Sequence, residues 1–246
     1  MRVEAALAAV ALVALAGCSG NGKARLRVDA ASSLTGVFRQ LDPRAAFDFA
    51  GSDELAFQIE QGKRTDVYAS ASPQYPDRLH REGLLERPRV FATNSLVLIV
   101  PRGNPGRVTG LGSLMRSSVK LVRGARGVPV GDYARKILAR FCHTIFQPGG
   151  RCPRARIVSE EQDVKGVIAK VALGEADAGF VYTTDVKPVA GKVRAIRIPA
   201  YLQPTVEYEL AVVRGTKHHR EAQAFVRLVT GPRGRRALRN AGFGLP

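Results

Sequence analysis

The sequence predicts an α/β protein of two lobes, each built on a largely parallel sheet, and three observations carry that reading. Short apolar runs rich in Val, Ile, Phe and Ala alternate with stretches whose apolar residues recur every three or four positions, the pattern of strands and amphipathic helices. This alternation persists along nearly the whole chain, which favours crossover connections and parallel pairing. With 246 residues, 45% of them hydrophobic, the chain can bury two cores, each in a lobe of about 100 residues.

Taken in order, strands are predicted at 26–30, 46–50, 66–70, 95–100, 119–122, 156–159, 178–182, 193–198 and 206–213. Helical spacing joins Leu34, Val37, Phe38 and Leu41, then Leu55 and Ile59, then Tyr133, Ile137, Leu138 and Phe141, then Val164, Val167, Ile168 and Val171. Pro43 should end the first helix at Leu41, because proline lacks the N–H and restricts the residue before it. Two closing helices, around 221–229 and 232–239, are separated by Thr230-Gly231-Pro232.

The amino terminus reads as an export signal. Arg2 precedes an apolar run over 5–16 that is too short to span a bilayer, and the run ends in Leu15-Ala16-Gly17-Cys18. This resembles a bacterial lipoprotein signal. Residues 1–17 are therefore expected to be removed, Cys18 to be lipidated, and 18–23 to act as a tether holding the protein outside the cytoplasmic membrane. In that compartment Cys142 and Cys152 are expected to form a disulfide, whose short loop contributes about 2–3 kcal/mol in the chain-entropy model.

The formal charge is +17, and removal of the signal leaves it unchanged because Arg2 and Glu4 cancel. The basic residues are spread along the chain and no nucleic-acid-binding motif occurs, so no nucleic acid is expected as a partner. A solvated basic surface that draws anions inward fits better. His80, His143, His218 and His219 have no metal-ligand spacing, and neither a nucleophile elbow nor a P-loop is present, so no enzyme is expected.

Chemistry is better sought where helices begin. Ser33, Ser52, Pro129-Val130-Gly131 and Gln162-Asp163 each precede or open a helical pattern, where unpaired N–H groups and a partial positive charge favour an anion. Taken singly, Ser33 and Ser52 read more readily as ordinary N-caps than as anion ligands.

Several strings raise these positions above that background. They are Ala30-Ala31-Ser32-Ser33-Leu34-Thr35, Phe49-Ala50-Gly51-Ser52-Asp53-Glu54-Leu55-Ala56, Asp66-Val67-Tyr68-Ala69-Ser70-Ala71, Asn94-Ser95-Leu96-Val97-Leu98-Ile99-Val100-Pro101, Val128-Pro129-Val130-Gly131-Asp132-Tyr133-Ala134, Glu161-Gln162-Asp163-Val164, and Gly174-Glu175-Ala176-Asp177-Ala178-Gly179-Phe180-Val181-Tyr182. In this order they resemble the molybdate-binding proteins of ABC importers, a group with the type II periplasmic-binding-protein fold. The resemblance implies two mixed, mostly parallel sheets flanked by helices and two hinge crossovers, near 94–98 and 206–211. Lobe 1 would comprise 23–94 plus 207–246, and lobe 2 would comprise 95–206. It further implies a monomer that carries molybdate or tungstate, uses no other cofactor, and delivers its ligand to a membrane permease driven by an ATPase. The ligand donors it implies are the hydroxyls of Ser33 and Ser52, the main-chain N–H groups of Val130 and Val164, and the phenol of Tyr182. Molybdate at neutral pH is an unprotonated dianion that only accepts hydrogen bonds, so such a ring of neutral donors suits it. A sulfate, thiosulfate or other anion binder of the same fold is the alternative. A transcription regulator with the same lobes would need a DNA-binding segment where this chain has its export signal.

Overall fold

The computed structural model describes residues 25–145 and 155–246. The signal peptide, Cys18, the tether and Cys152 lie outside the described residues; Cys142 lies within them, buried near the end of a helix. The strands are β1 (Arg27–Ala31), β2 (Ala46–Ala50), β3 (Val67–Ser70), β4 (Arg89–Asn94), β5 (Leu96–Pro101), β6 (Lys120–Gly124), β7 (Arg156–Glu161), β8 (Ala178–Tyr182), β9 (Val193–Arg197) and β10 (Val206–Val212). The helices are α1 (Thr35–Leu41), α2 (Ser52–Glu60), α3 (Gln74–Arg81), α4 (Pro129–Ile145), α5 (Val164–Ala172), α6 (His219–Thr230) and α7 (Pro232–Asn240).

Two five-stranded sheets organise the fold. The first runs β2-β1-β3-β10-β4 and the second β7-β6-β8-β5-β9. In the first, β1 is parallel to β2 and β3, with Val28 opposite Phe47 on one side and Val67 on the other. In the second, β6 is parallel to β7 and β8. Each sheet then receives one antiparallel strand in its fourth place: β10 between β3 and β4, and β5 between β8 and β9. The chain leaves the first sheet between Asn94 and Leu96 and returns between Arg197 and Val206. β5 and β10 are therefore the strands laid down immediately after each crossing. This is the two-lobed α/β architecture the sequence predicts.

Burial follows from the layers. One face of the first sheet carries Leu55, Ala56 and Ile59 of α2 and Tyr75 and Leu79 of α3, packed with Tyr68, Leu85 and Ala211. A second cluster joins α1 to the closing helices, with Phe38 edge-on to Phe225 at 5.4 Å. In the second lobe, Val167, Ile168 and Val171 of α5 and Tyr133, Ala134 and Ile137 of α4 bury their helical stripes. α1 stops at Leu41, one residue before Asp42-Pro43.

The nine expected strands all occur, with ends within two residues of the pattern. Two elements escape it. α3 buries only Tyr75, Pro76 and Leu79 among charged neighbours, too sparse a stripe to register as periodic. Its Pro76 is tolerated because a first-turn N–H has no intrahelical acceptor to lose. β4 alternates poorly because its register with β10 shifts between Tyr208 and Glu209, so its buried residues, Phe91 and Ala92, are adjacent.

That bulge accompanies a buried acid. Glu209 is 8% exposed, and its Oε2 makes no hydrogen bond among the described residues. Burial, with smaller contributions from Asp77 and Glu207, pushes its carboxyl up from 4.5 to about 7. The folded chain thus holds this proton more tightly than the unfolded one. Stability is therefore greatest when the pH is low enough to keep the group protonated in both states, and it is lost as pH rises toward and through about 7. Glu209→Gln is expected to raise the melting temperature at pH 8 by a few degrees, on the scale of about 2–4 °C per kcal/mol. At pH 4 the two proteins should melt together. Scanning calorimetry at both pH values checks this, and equal melting at pH 8 would refute it.

Candidate anion-binding site

The carboxyl ends of the parallel strands converge where the two sheets face each other, the position at which open α/β sheets hold ligands. β1 leads into a short 3-10 turn, Ser32–Leu34. β2 leads through Gly51 into α2, which opens at Ser52. From the other lobe, β6 leads toward α4, β7 leads through Asp163 into α5, and β8 ends at Tyr182. Ser33, Ser52, Val130, Val164 and Tyr182 all line one small cavity of about 20 Å³ between the lobes. Its volume is far below the roughly 300–1,000 Å³ of pockets for drug-sized molecules. Only a compact solute fits.

Every donor is neutral and each has a reason to point inward. Val130 and Val164 stand in the first turns of α4 and α5, where backbone N–H groups lack an intrahelical acceptor. α4 approaches this closely because Gly124 and Gly131 have no side chains: a Cβ on Gly131 would lie 2.1 Å from the Gly124 carbonyl oxygen. The Ser52 Oγ accepts the Ala71 N–H at 3.1 Å, which leaves its hydrogen free to donate, and its carbonyl is held by the Tyr68 hydroxyl at 2.6 Å. The Ser33 Oγ lies 3.0 Å from the Tyr208 hydroxyl. Tyr182 is 2% exposed, and its hydroxyl has no hydrogen-bond partner within 3.5 Å among the described residues, the neighbouring Tyr208 hydroxyl being the polar group that bears on it most. A buried phenol without a partner costs about 1–3 kcal/mol unless something accepts from it. Burial first, and then Tyr208, holds this phenol well above its usual pKa, so it remains a donor.

Among the described residues no Lys, Arg or His lines the cavity, and the one acid that does is already engaged: Asp163 Oδ1 caps α5 by accepting the Gly166 N–H at 2.9 Å. Asp53 and Glu54, which follow Ser52 directly, do not line it. Glu54 turns outward to Gln58 at 3.1 Å, and burial raises the Asp53 carboxyl. A cavity of about 790 Å³ lies at the opposite end of the first sheet, rimmed by Arg25, Arg27, Arg64, Arg214 and Lys217. It draws on one lobe only, and the helix start on its rim is that of α6 at His218.

The lobes meet tightly around the small cavity. The Tyr75 hydroxyl of the first donates to the Gly127 carbonyl of the second. Gly51 packs against the Gln162 carbonyl so closely that a Cβ there would sit 2.4 Å from that oxygen.

Residues 26–244 match the family model described as bacterial extracellular solute-binding protein. The chain belongs to this family. The solute-binding protein is 36% identical to the molybdate-binding protein ModA of Mycobacterium tuberculosis over 237 residues, covering 92% of this chain and 87% of that one. Its fold matches the periplasmic molybdate-binding protein of Azotobacter vinelandii with a TM-score of 0.74 at 22% identity, over 90% of this chain and 100% of that one. It also matches the sulfate-binding protein SubI of M. tuberculosis with a TM-score of 0.73 at 15% identity, over 89% and 86%. The architecture is thus that of type II periplasmic-binding proteins, and the backbone alone does not choose among oxyanions.

Two residues around the cavity of this solute-binding protein were not singled out from its sequence. Tyr208, fully buried on β10, stands behind Ser33, and Asn94, at the end of β4, reaches it through its side-chain amide at 3.4 Å. A tyrosine inside an alternating strand reads as core, and no local signal distinguishes one whose hydroxyl serves a site.

Proposed function

We propose that this extracellular solute-binding protein captures molybdate or tungstate between its lobes and delivers it to the permease of an ABC importer. The observation that carries the reading is the small cavity between the lobes with donors from both, no cation among the described residues that line it, and a buried Tyr182 hydroxyl without a close acceptor among them. An unprotonated tetrahedral dianion supplies acceptors in every direction and needs no donor of its own. The 36% identity to a molybdate-binding protein supports the same ligand.

In this reading Ser33 and Ser52 bond the anion from the first lobe, and Val130, Val164 and Tyr182 bond it from the second. Hinge motion at the crossings between 94–98 and 206–211 opens and closes the units 23–94 plus 207–246 and 95–206. Ligand stabilises the closed form because only there do all five groups reach it. The protein acts as a monomer held by lipid at Cys18, and its work is binding, not catalysis. Phosphate is disfavoured because near neutral pH it often carries a proton, and a ring of donors leaves that O–H unpaired at about 1–3 kcal/mol. Sulfate carries no proton there but is smaller, so the same donors reach it less well.

Titration calorimetry with molybdate, tungstate, sulfate and phosphate tests the assignment. Molybdate and tungstate are expected to bind at least about 100-fold more tightly than the other two, a difference of about 2.7 kcal/mol. Sulfate binding as tightly as molybdate would favour the sulfate-binding alternative.

A further inference from the structure

We infer that Asn94 and Tyr208 form a directional hydrogen-bond relay that turns the Ser33 hydroxyl hydrogen toward the cavity, so that the cavity disfavours anions carrying a proton. The inference rests on the oxyanion reading of the cavity and concerns what orients one of its donors.

The direction follows from groups whose roles are fixed. The Ser95 N–H can only donate, and it lies 2.9 Å from Asn94 Oδ1, which sets the orientation of that amide. Asn94 Nδ2 is thereby aimed at Thr184 Oγ1, 2.9 Å away, and at the Tyr208 hydroxyl, 3.4 Å away. An amide nitrogen donates, so the Tyr208 oxygen accepts from it. The Tyr208 hydrogen is left for Ser33 Oγ at 3.0 Å. Ser33, accepting from Tyr208, has its own hydrogen to turn toward the cavity it lines. Tyr208 is 0% exposed, and burial raises its pKa well above the usual value, so its proton is always present.

Ser52 is oriented by the same logic, but there the donor is the Ala71 backbone N–H, which no side-chain change short of proline removes. At Ser33 the donor is a side chain and can be deleted. The relay also spans the hinge, since Asn94 closes β4 at one crossing, Tyr208 lies on β10 just after the other, and Thr184 follows β8 in the second lobe. Without it, the Ser33 hydroxyl could turn its hydrogen away from the cavity and present a lone pair to a protonated oxyanion such as hydrogen phosphate.

The test uses the full chain and calorimetry with molybdate and with phosphate at pH 6.5, for wild type, Tyr208→Phe, Ser33→Ala and the double variant, each checked for folding by its melting curve. Tyr208→Phe is expected to weaken molybdate about 10-fold and to narrow the molybdate-to-phosphate ratio further, because phosphate gains an acceptor as it loses a donor. In the Ser33→Ala background the same substitution should change molybdate affinity less than about twofold, since the relay acts through Ser33. Asn94→Asp is nearly isosteric but only accepts, so it should turn the Tyr208 hydroxyl around and narrow the same ratio. Equal losses for both anions, an unchanged ratio in both variants, or a full Tyr208 effect without Ser33 would overturn the relay. If molybdate fails to bind wild type, the ligand assignment falls alone, and the cycle is run with the oxyanion that does bind.

Discussion

Gly51→Ala is expected to lower molybdate affinity by at least about 100-fold, or about 2.7 kcal/mol, while the unliganded protein stays folded. The backbone at Gly51 has φ −62° and ψ 141°, a conformation open to any residue, so glycine is not required there by its dihedrals. It is required by the opposite lobe. An added Cβ would meet Gln162 O at 2.4 Å and Asp53 Oδ1 at 2.7 Å. The Asp53 side chain can rotate away, but the Gln162 carbonyl belongs to the backbone immediately before Asp163 and Val164, which open α5. Relieving the clash must push the lobes apart or move the α5 start off the ligand. Either change separates donors that have to reach one anion together. Gly51 meets the second lobe at a single carbonyl and lies outside both hydrophobic cores, so the melting temperature of the unliganded variant should hold. Calorimetry measures the affinity, and small-angle scattering should show ligand-induced compaction in wild type and none in the variant. Wild-type affinity in Gly51→Ala would show that the lobes do not close as tightly on the ligand as they do here.

Ser33→Ala combined with Ser52→Ala should reduce molybdate binding by about two to four powers of ten, since each hydrogen bond to a charged acceptor contributes about 1.5–3 kcal/mol. The two substitutions should differ in their effect on the fold. Ser52 Oγ is the acceptor for the Ala71 N–H, and Ala71 is 3% exposed, so Ser52→Ala strands a buried donor. A cost of about 1–3 kcal/mol follows, and the unliganded protein should melt several degrees lower. Ser33→Ala leaves only the Tyr208 hydroxyl short of an acceptor and should destabilise less. Titration beside thermal melts separates the two effects. Unchanged affinity in a folded double variant would remove both hydroxyls from the site.

Much of this molecule is legible in the order of its residues. Strand runs such as 46–50 and 178–182 coincide with β2 and β8 because their backbones can pair in only one local conformation, whatever the partner. The segments holding Ser33, Ser52, Val130 and Val164 are candidates because a helix start leaves unpaired N–H groups as a local property of the chain, and the family resemblance of their strings singles out those residues. What failed was equally physical. α3 buries too few residues for a period to show, and β4 loses its alternation to a bulge that exists only against β10.

The sequence by itself determined the α/β alternation, the helix starts and the absence of charge among the candidate donors, all of which depend on neighbours a few residues apart. The tertiary structure alone decided that those starts share one cavity of about 20 Å³, that Gly51 abuts Gln162, and that Tyr208 stands behind Ser33, 175 positions away in the chain. Such contacts depend on which strands become neighbours after the chain crosses between lobes. Which of them do so is settled by how both sheets bury their faces, and that is a property of the whole fold.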